Sequence, residues 1–149
     1  MNLIYIMRHG QSTVNVERRI TCRKLEGDLT PTGRDQALKA GQWLVDKGIT
    51  KIIHSPFHRA AQTAEIVNQQ LNLTCSVSDD LREMDCGALE WRTDETGWNE
   101  FYSVYERWQQ RDWNATYPDG ESYRQGFDRF NHCLMNVDPN ETTLLVTHG

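Results

Sequence analysis

The sequence has no Cys-x-x-Cys pair: its four cysteines stand at 22, 75, 86 and 133. Neither a zinc knuckle nor a thiol redox motif is legible, and all four are expected to be reduced thiols. It has no surplus of positive charge either. A formal net charge of -5 speaks against nucleic acid as a partner, because binders of that polyanion normally carry a basic stripe. An anionic small substrate stays open, since a few arginines in a cleft can outweigh a mildly acidic exterior. Long apolar runs are missing, and the start, Met-Asn-Leu-Ile-Tyr-Ile-Met-Arg, has no basic leader. No signal peptide, no membrane anchor and no membrane partner are therefore expected, and the cytoplasm is the expected location. Four prolines, ten glycines and no low-complexity stretch in 149 residues fit one globular domain, 1–149, with a core of useful size. The Asn-x-Thr triplets at Asn72, Asn114 and Asn140 match the glycosylation pattern but mean nothing in a cytosolic protein.

Leu3-Ile4-Tyr5-Ile6-Met7 is a β-branched apolar run without helical spacing, which reads as a strand buried on both faces and ending at Arg8-His9-Gly10. Thr30-Pro31 predicts a helix start, and Gly48 its end. Lys51 to His54 predicts a second strand, and Ser55-Pro56 opens a helix with Arg59 in its first turn and Ala60, Ala61, Ala64, Ile66, Val67 and Leu71 as its packing face. Thr74 to Val77 is a weaker strand and Thr143 to Val146 a clear one, followed by Thr147-His148-Gly149. Strands alternating with helices predict an α/β fold with a mainly parallel sheet. Trp98, Phe101, Tyr102, Tyr105, Trp108 and Trp113 form an aromatic band at helical spacing, read evenly as a surface lid or as core packing. Ser122-Tyr123-Arg124-Gln125 fits a capping box, with Phe127, Phe130 and Leu134 continuing one helical face.

Ligands of open α/β sheets bind beyond the carboxyl ends of the strands, and Arg8, His9 and His148 lie at two such ends. Arg59, in the first turn of a helix after a third strand, adds a cation where helix dipole and free N–H groups already favour an anion. Forked guanidinium groups suit phosphate oxygens, and with enough fixed cations phosphoryl transfer needs no metal. A neutral His9 can attack phosphorus and hold the group covalently, provided its other ring nitrogen is held by an acceptor, for which a carbonyl at Gly10 is the candidate. Glu83 is the candidate acid for the leaving alkoxide, with Asp85 as its rival. His54 and His58 have the separation of a metal pair, but Ser55-Pro56 interrupts them, so local hydrogen bonding is expected; His132 reads as a surface residue.

Four stretches together resemble the histidine phosphatase, or phosphoglycerate mutase-like, superfamily over nearly the whole chain. They are Arg8-His9-Gly10 with Ser12, Asn15, Arg19 and Thr21 following; Ser55-Pro56-Phe57-His58-Arg59 through Ala64; Leu81-Arg82-Glu83-Met84-Asp85-Cys86-Gly87; and Val146-Thr147-His148-Gly149. Leu29-Thr30, Gly33 and Asp119-Gly120-Glu121-Ser122 also fit. The resemblance implies a three-layer α/β/α fold, His9 as phosphorylated nucleophile, and Arg8, Arg59 and His148 as phosphate ligands. It also implies Glu83 as the acid, Asn15, Thr21 and Gly149 as substrate contacts, and neither metal nor cofactor. Val14 stands where the family usually has an aromatic residue and Cys22 where mutases place a glycine. The chain also stops where the family normally continues through another helix and strand, so a longer natural chain is expected.

The reading reached is a phosphatase of small phosphate monoesters, because residues 86–118 look too short for an elaborate mutase cap. A phosphoglycerate mutase comes second and an inactive phosphate-binding module third. The expected partner is a small phosphorylated substrate, and a homodimer is left open as the assembly.

Overall fold

The computed structural model describes residues 3–23 and 26–149. Four strands, β1 (Ile4–Arg8), β2 (Lys51–His54), β3 (Thr74–Val77) and β4 (Thr143–Thr147), form a sheet in the order β1-β4-β2-β3 with every pair parallel. β4 comes last among the strands yet sits inside the sheet, and all five of its residues are buried. That is why Leu144-Leu145-Val146 is a continuous apolar run rather than an alternating one.

The helices are α1 (Thr13–Val16), α2 (Pro31–Leu44), α3 (His58–Leu71), α4 (Glu95–Gln109) and α5 (Tyr123–Met135). α2 begins where Thr30 Oγ1 accepts from the Gly33 N–H at 3.1 Å and Pro31 supplies a preset φ, and it unwinds through a 3-10 turn to left-handed Gly48. α3 starts later than Ser55-Pro56. Phe57 stays extended and its N–H turns to Ser55 Oγ at 3.3 Å, so helical geometry begins at His58. The expected capping box of α5 is present, with Ser122 N–H donating to Gln125 Oε1 at 2.8 Å and Gln125 N–H to Ser122 Oγ at 3.2 Å. The single turn of α1 was not foreseen.

Helices cover both faces of the sheet, which makes three layers. On one side Ile52, Leu144 and Val146 pack with Leu44 of α2 and Ala60, Ala64 and Val67 of α3, and Tyr5 and Met7 join them. On the other, Leu145 and Ile53 meet Phe130, Cys133 and Leu134 of α5. β1 departs from expectation here: Ile4 and Ile6 are 43% and 55% exposed. β1 is the sheet edge, and among the described residues α5 packs on the Ile53 and Leu145 side without extending over it. Phe127 also leaves the expected helical face; it is exposed and stacks on Tyr123.

A separate cluster unites Ile20, Cys22, Cys86, Leu89, Val104, Trp108, Ala115 and Tyr117, with Trp98 and Phe101 packed against it. The aromatic band therefore divides: Trp108 is core, while Tyr102, Tyr105 and Trp113 keep exposed faces. Cys22 and Cys86 are joined in a disulfide, which corrects the reading of four reduced thiols, whereas Cys75 and Cys133 are free. They meet because Ile20 pairs with Trp91 and Arg92 through backbone hydrogen bonds of 2.7 and 2.9 Å, bringing residue 22 beside residue 86. A link spanning a sequence separation of 64 restricts the unfolded chain by about 4 kcal/mol in the loop-entropy account. His132 is exposed as expected but not alone, with Nδ1 2.7 Å from Asp80 Oδ2.

The turn after β1 lies directly on the start of α2. A β-carbon on Gly33 would collide with the Gln11 carbonyl, and one on Gly10 with the Gly33 carbonyl. Gly33→Ala should lower stability by about 1–3 kcal/mol, the usual range for overpacking. A urea midpoint equal to wild type would show that this approach is not tight.

Candidate active site

Because all four strands are parallel, β1, β2 and β4 end on one edge of the sheet. The backbone ties their extensions together: His9 N–H donates to Thr147 O and Ser55 N–H to Val146 O, each at 3.0 Å. His9, Ser55 and His148 are each set one residue past a strand, which is where an α/β sheet presents its chemistry.

His9 is 6% exposed. Its Nδ1 lies 2.7 Å from the Gly10 carbonyl, and its Nε2 lies 3.1 Å from Arg59 Nε. A carbonyl only accepts and a guanidinium N–H only donates, so the proton sits on Nδ1 and the lone pair on Nε2. Gly10 is the acceptor expected from the sequence. Burial first, with the Arg59 and Arg8 charges adding to it and the Gly10 hydrogen bond opposing, lowers the imidazole to about 4. The ring is neutral near pH 7.

Arg59 is 2% exposed. Nη2 donates to the Thr21 carbonyl at 3.2 Å, whereas Nη1 is buried with no hydrogen-bond partner. Thr63, one turn along α3, accepts from Gly10 N–H at 3.0 Å and donates to the Arg59 carbonyl at 2.6 Å, locking the His9 turn to the Arg59 backbone.

His148 Nε2 lies 2.7 Å from Ser55 Oγ. That hydroxyl also accepts from Phe57 N–H; when it donates its own proton to Nε2, the His148 proton is on Nδ1. This second nitrogen is also buried without a hydrogen-bond partner, 3.9 Å from Glu83 Oε2. The His148 and His9 ring centroids are 5.2 Å apart. Burial, then Arg59 and the other nearby cationic groups, pushes His148 well below the ordinary histidine range. Two nitrogens, Arg59 Nη1 and His148 Nδ1, thus lack hydrogen-bond partners beside the His9 nitrogen that Arg59 Nε holds. A tetrahedral anion satisfies both donors and brings phosphorus to the His9 nitrogen, whereas a cation finds like charge.

Glu83 Oε1 accepts from Met84 N–H at 2.9 Å. Burial raises its carboxyl above the ordinary value although that N–H, Arg59 and Arg8 all oppose the shift. Asp85 is occupied elsewhere, by Arg23 Nε at 2.6 Å and Gly87 N–H at 2.8 Å. A cavity of about 510 Å³ opens beside His9, Arg59 and Glu83 and is walled by aromatic rings, Trp98, Phe101 and Tyr117 among them. Arg8, Asn15, Thr21 and Gly149 also line it.

Thr21 and Asn15 are placed at the site with their side chains engaged. Thr21 Oγ1 donates to Glu90 Oε1 at 3.3 Å, and Asn15 Oδ1 accepts from the Ser12 N–H and hydroxyl at 3.0 and 2.9 Å. His54 makes the expected local contact, Nδ1 to the Ser55 carbonyl at 2.9 Å, and His58 lies 4.0 Å from Asp28 on the surface. Sequence reasoning missed the supporting roles of Ser55, Thr63 and Glu90. The Ser-Pro step after β2 and the one-turn spacing of Arg59 and Thr63 were the available signals for the first two. Among the described residues, one group has the proximity of a metal-ligand set, Cys22, Cys86 and Glu90, and its sulfurs are bonded to each other.

The lowered His9 predicts an acid effect on stability. Between about 6.5 and 4 the unfolded chain binds a proton that the folded His9 does not, so folding stability drops as pH falls through this window, by roughly 3 kcal/mol from His9. Glu83, whose folded carboxyl is raised, acts in the opposite direction, so the wild-type and His9→Asn proteins should be compared by urea unfolding at pH 7.5 and pH 4.5. The difference between them should shrink at the lower pH; a pH-independent difference would contradict a buried neutral ring.

Comparison with known proteins agrees with this geometry. Residues 4–149 match the profile of the histidine phosphatase superfamily (branch 1). A "Probable phosphoglycerate mutase GpmB" of Citrobacter koseri is 35% identical over 153 residues, which cover 98% of this chain and 69% of that protein. The Bacillus stearothermophilus YhfR structure superposes with a TM-score of 0.86 at 27% identity, covering 100% of this chain and 75% of that one. The alpha-ribazole phosphatase from Shigella flexneri gives 0.80 at 25% identity, with 97% and 73% coverage. With a profile match over nearly its full length and a parallel three-layer fold shared with these structures, the chain belongs to branch 1 of the histidine phosphatase superfamily and is an enzyme of the phosphohydrolase type.

Proposed function

We propose that the protein is a metal-independent phosphatase that hydrolyses small phosphate monoesters through a phosphohistidine on His9. The observation that carries this reading is the buried lone pair of His9 Nε2 flanked by two partnerless donors, Arg59 Nη1 and His148 Nδ1. In the first step Nε2 attacks phosphorus and the ester P–O bond breaks. Arg59 turns from the ring to the phosphate oxygens, with Arg8 and His148 sharing their charge. Glu83, whose carboxyl burial raises above its ordinary value, gives its proton to the departing alkoxide. In the second step the Glu83 carboxylate takes a proton from water, the water oxygen attacks phosphorus and the P–N bond breaks, restoring neutral His9.

Asn15, Thr21 and Gly149 line the space for the ester. Aromatic walls offer the leaving group carbon surface, which suits a ring or hydrocarbon part better than a second anionic group. Cytoplasmic residence belongs to the same reading, and no described helix is long and apolar enough to cross a membrane.

The mutase name of the Citrobacter koseri relative favours a second reading, in which phosphohistidine returns its group to a bound glycerate. Water exclusion decides between the two. A bisphosphate-primed exchange assay separates them: free phosphate and glycerate as the products support hydrolysis, and isomerised phosphoglycerate supports transfer.

The protein should turn over aryl and sugar phosphates at an undiminished rate in excess chelator, and His9→Ala should abolish turnover; strict metal dependence would remove this mechanism. kcat/KM, corrected for ionisation of the substrate, should rise as His9 loses its proton near pH 4 and fall as Glu83 ionises above the ordinary carboxyl range. Glu83→Gln should lower kcat about 10²–10⁴-fold on alkyl esters. On nitrophenyl phosphate, whose leaving group needs no proton, it should leave a burst of nitrophenol. A variant slowed equally in the burst and steady-state phases would take Glu83 out of the acid role.

A further inference from the structure

Glu90 lies outside the phosphate cluster, yet its carboxylate gathers the segment that holds Arg59. Oε2 accepts from Cys22 N–H at 2.7 Å and Arg23 N–H at 3.1 Å, and Oε1 from the Thr21 hydroxyl at 3.3 Å. The Thr21 carbonyl in turn accepts from Arg59 Nη2, and Arg59 Nε meets His9. The Cys22–Cys86 disulfide adds a covalent tie at the same place, and Cys86 Sγ lies 3.4 Å from Glu90 Oε2. Glu90 itself is held by a turn in which its N–H donates to Gly87 O at 3.1 Å. Gly87 has a φ of 58°, and a β-carbon there would strike the Pro118 carbonyl, so the turn is pressed against residues 118–120.

The geometry points to Glu90 as a positioning residue: it and the Cys22–Cys86 disulfide are two parallel ties that fix residues 21–23, so that the Thr21 carbonyl sets the guanidinium of Arg59 for phosphate. This inference rests on the reading of Arg59 as a phosphate ligand. A buried guanidinium has five N–H groups and many rotamers; a carbonyl fixed at Nη2 selects the orientation in which Nη1 faces the site. With one tie gone, the other retains part of the loop order. With both gone, Thr21 is released and Arg59 loses its second anchor. Reduction of the disulfide takes two electrons and two protons from a dithiol, which becomes a disulfide, and leaves two thiols, of which the Cys86 S–H can donate to Glu90.

Binding of inorganic phosphate, followed by titration calorimetry, reads the position of Arg59 without requiring turnover. Glu90→Ala should weaken phosphate binding about 10–100-fold, the usual cost of removing a supporting partner. It should lower kcat/KM on an aryl phosphate by a similar factor, and Glu90→Gln, which keeps an acceptor oxygen, should recover part of the loss. Dithiol treatment of the wild type should weaken binding modestly. In Glu90→Ala it should weaken binding by more than the product of the separate factors, because parallel ties are coupled. Wild-type phosphate affinity in Glu90→Ala with only a lower Tm overturns the proposal, and so do effects of variant and dithiol that simply multiply. Should Glu90→Ala fail to fold, Glu90→Gln with and without dithiol makes the same comparison. A wild type that binds phosphate but hydrolyses no ester refutes the proposed activity and leaves this inference to be judged by the binding data.

Discussion

The contact on which the site depends is the hydrogen bond from Arg59 Nε to His9 Nε2 at 3.1 Å. It joins the residue after β1 to the first turn of α3, elements fifty residues apart in the chain. It exists because parallel strands end on one side of the sheet. Beneath it, Thr63 stitches Gly10 to the Arg59 carbonyl. Beside it, Ser55 holds the ring of His148 through Nε2, and Gly33 lets α2 lie against the turn that carries His9. Each feature holds a cationic or nucleophilic atom still, which is most of what a protein contributes to phosphoryl transfer.

One physical cause, burial, sets the protonation of the whole cluster with opposite signs. It disfavours charge, so His9 and His148 are lowered and stay neutral, while Glu83 is raised and keeps its proton longer. The permanent charge is left to the arginines. A neutral nucleophile, an acid whose carboxyl is raised above its ordinary value and fixed guanidinium groups therefore coexist in one cluster.

Much of this was legible in the sequence because it is local or periodic. The apolar runs around Ile4, Ile52 and Leu144 marked strands, Thr30-Pro31 and Ser122-x-x-Gln125 marked helix starts, and His9, Arg59 and His148 drew notice by their places at those boundaries. What escaped is what tertiary pairing decides. The exposure of Ile4 and Ile6 follows from tertiary packing: among the described residues α5 covers Ile53 and Leu145 and stops short of that face of β1. The Cys22–Cys86 bond follows from backbone pairing between residue 20 and residues 91 and 92. Glu90 carries no motif by itself, and its role depends on which N–H groups the fold brings to its carboxylate. The aromatic band was ambiguous because it serves both purposes: Trp108 fills the core, and Tyr102 keeps a face toward solvent and the cavity.

The central claim is covalent, so the most direct measurement looks for the bond itself. Native protein is mixed with a phosphorus-labelled aryl phosphate, quenched in alkali within milliseconds, digested and sequenced by mass spectrometry. The account predicts acid-labile phosphate on the ring of His9, formed before free phosphate appears and discharged at the turnover rate. Rapid hydrolysis with no label on residue 9, or label on another side chain, would contradict it.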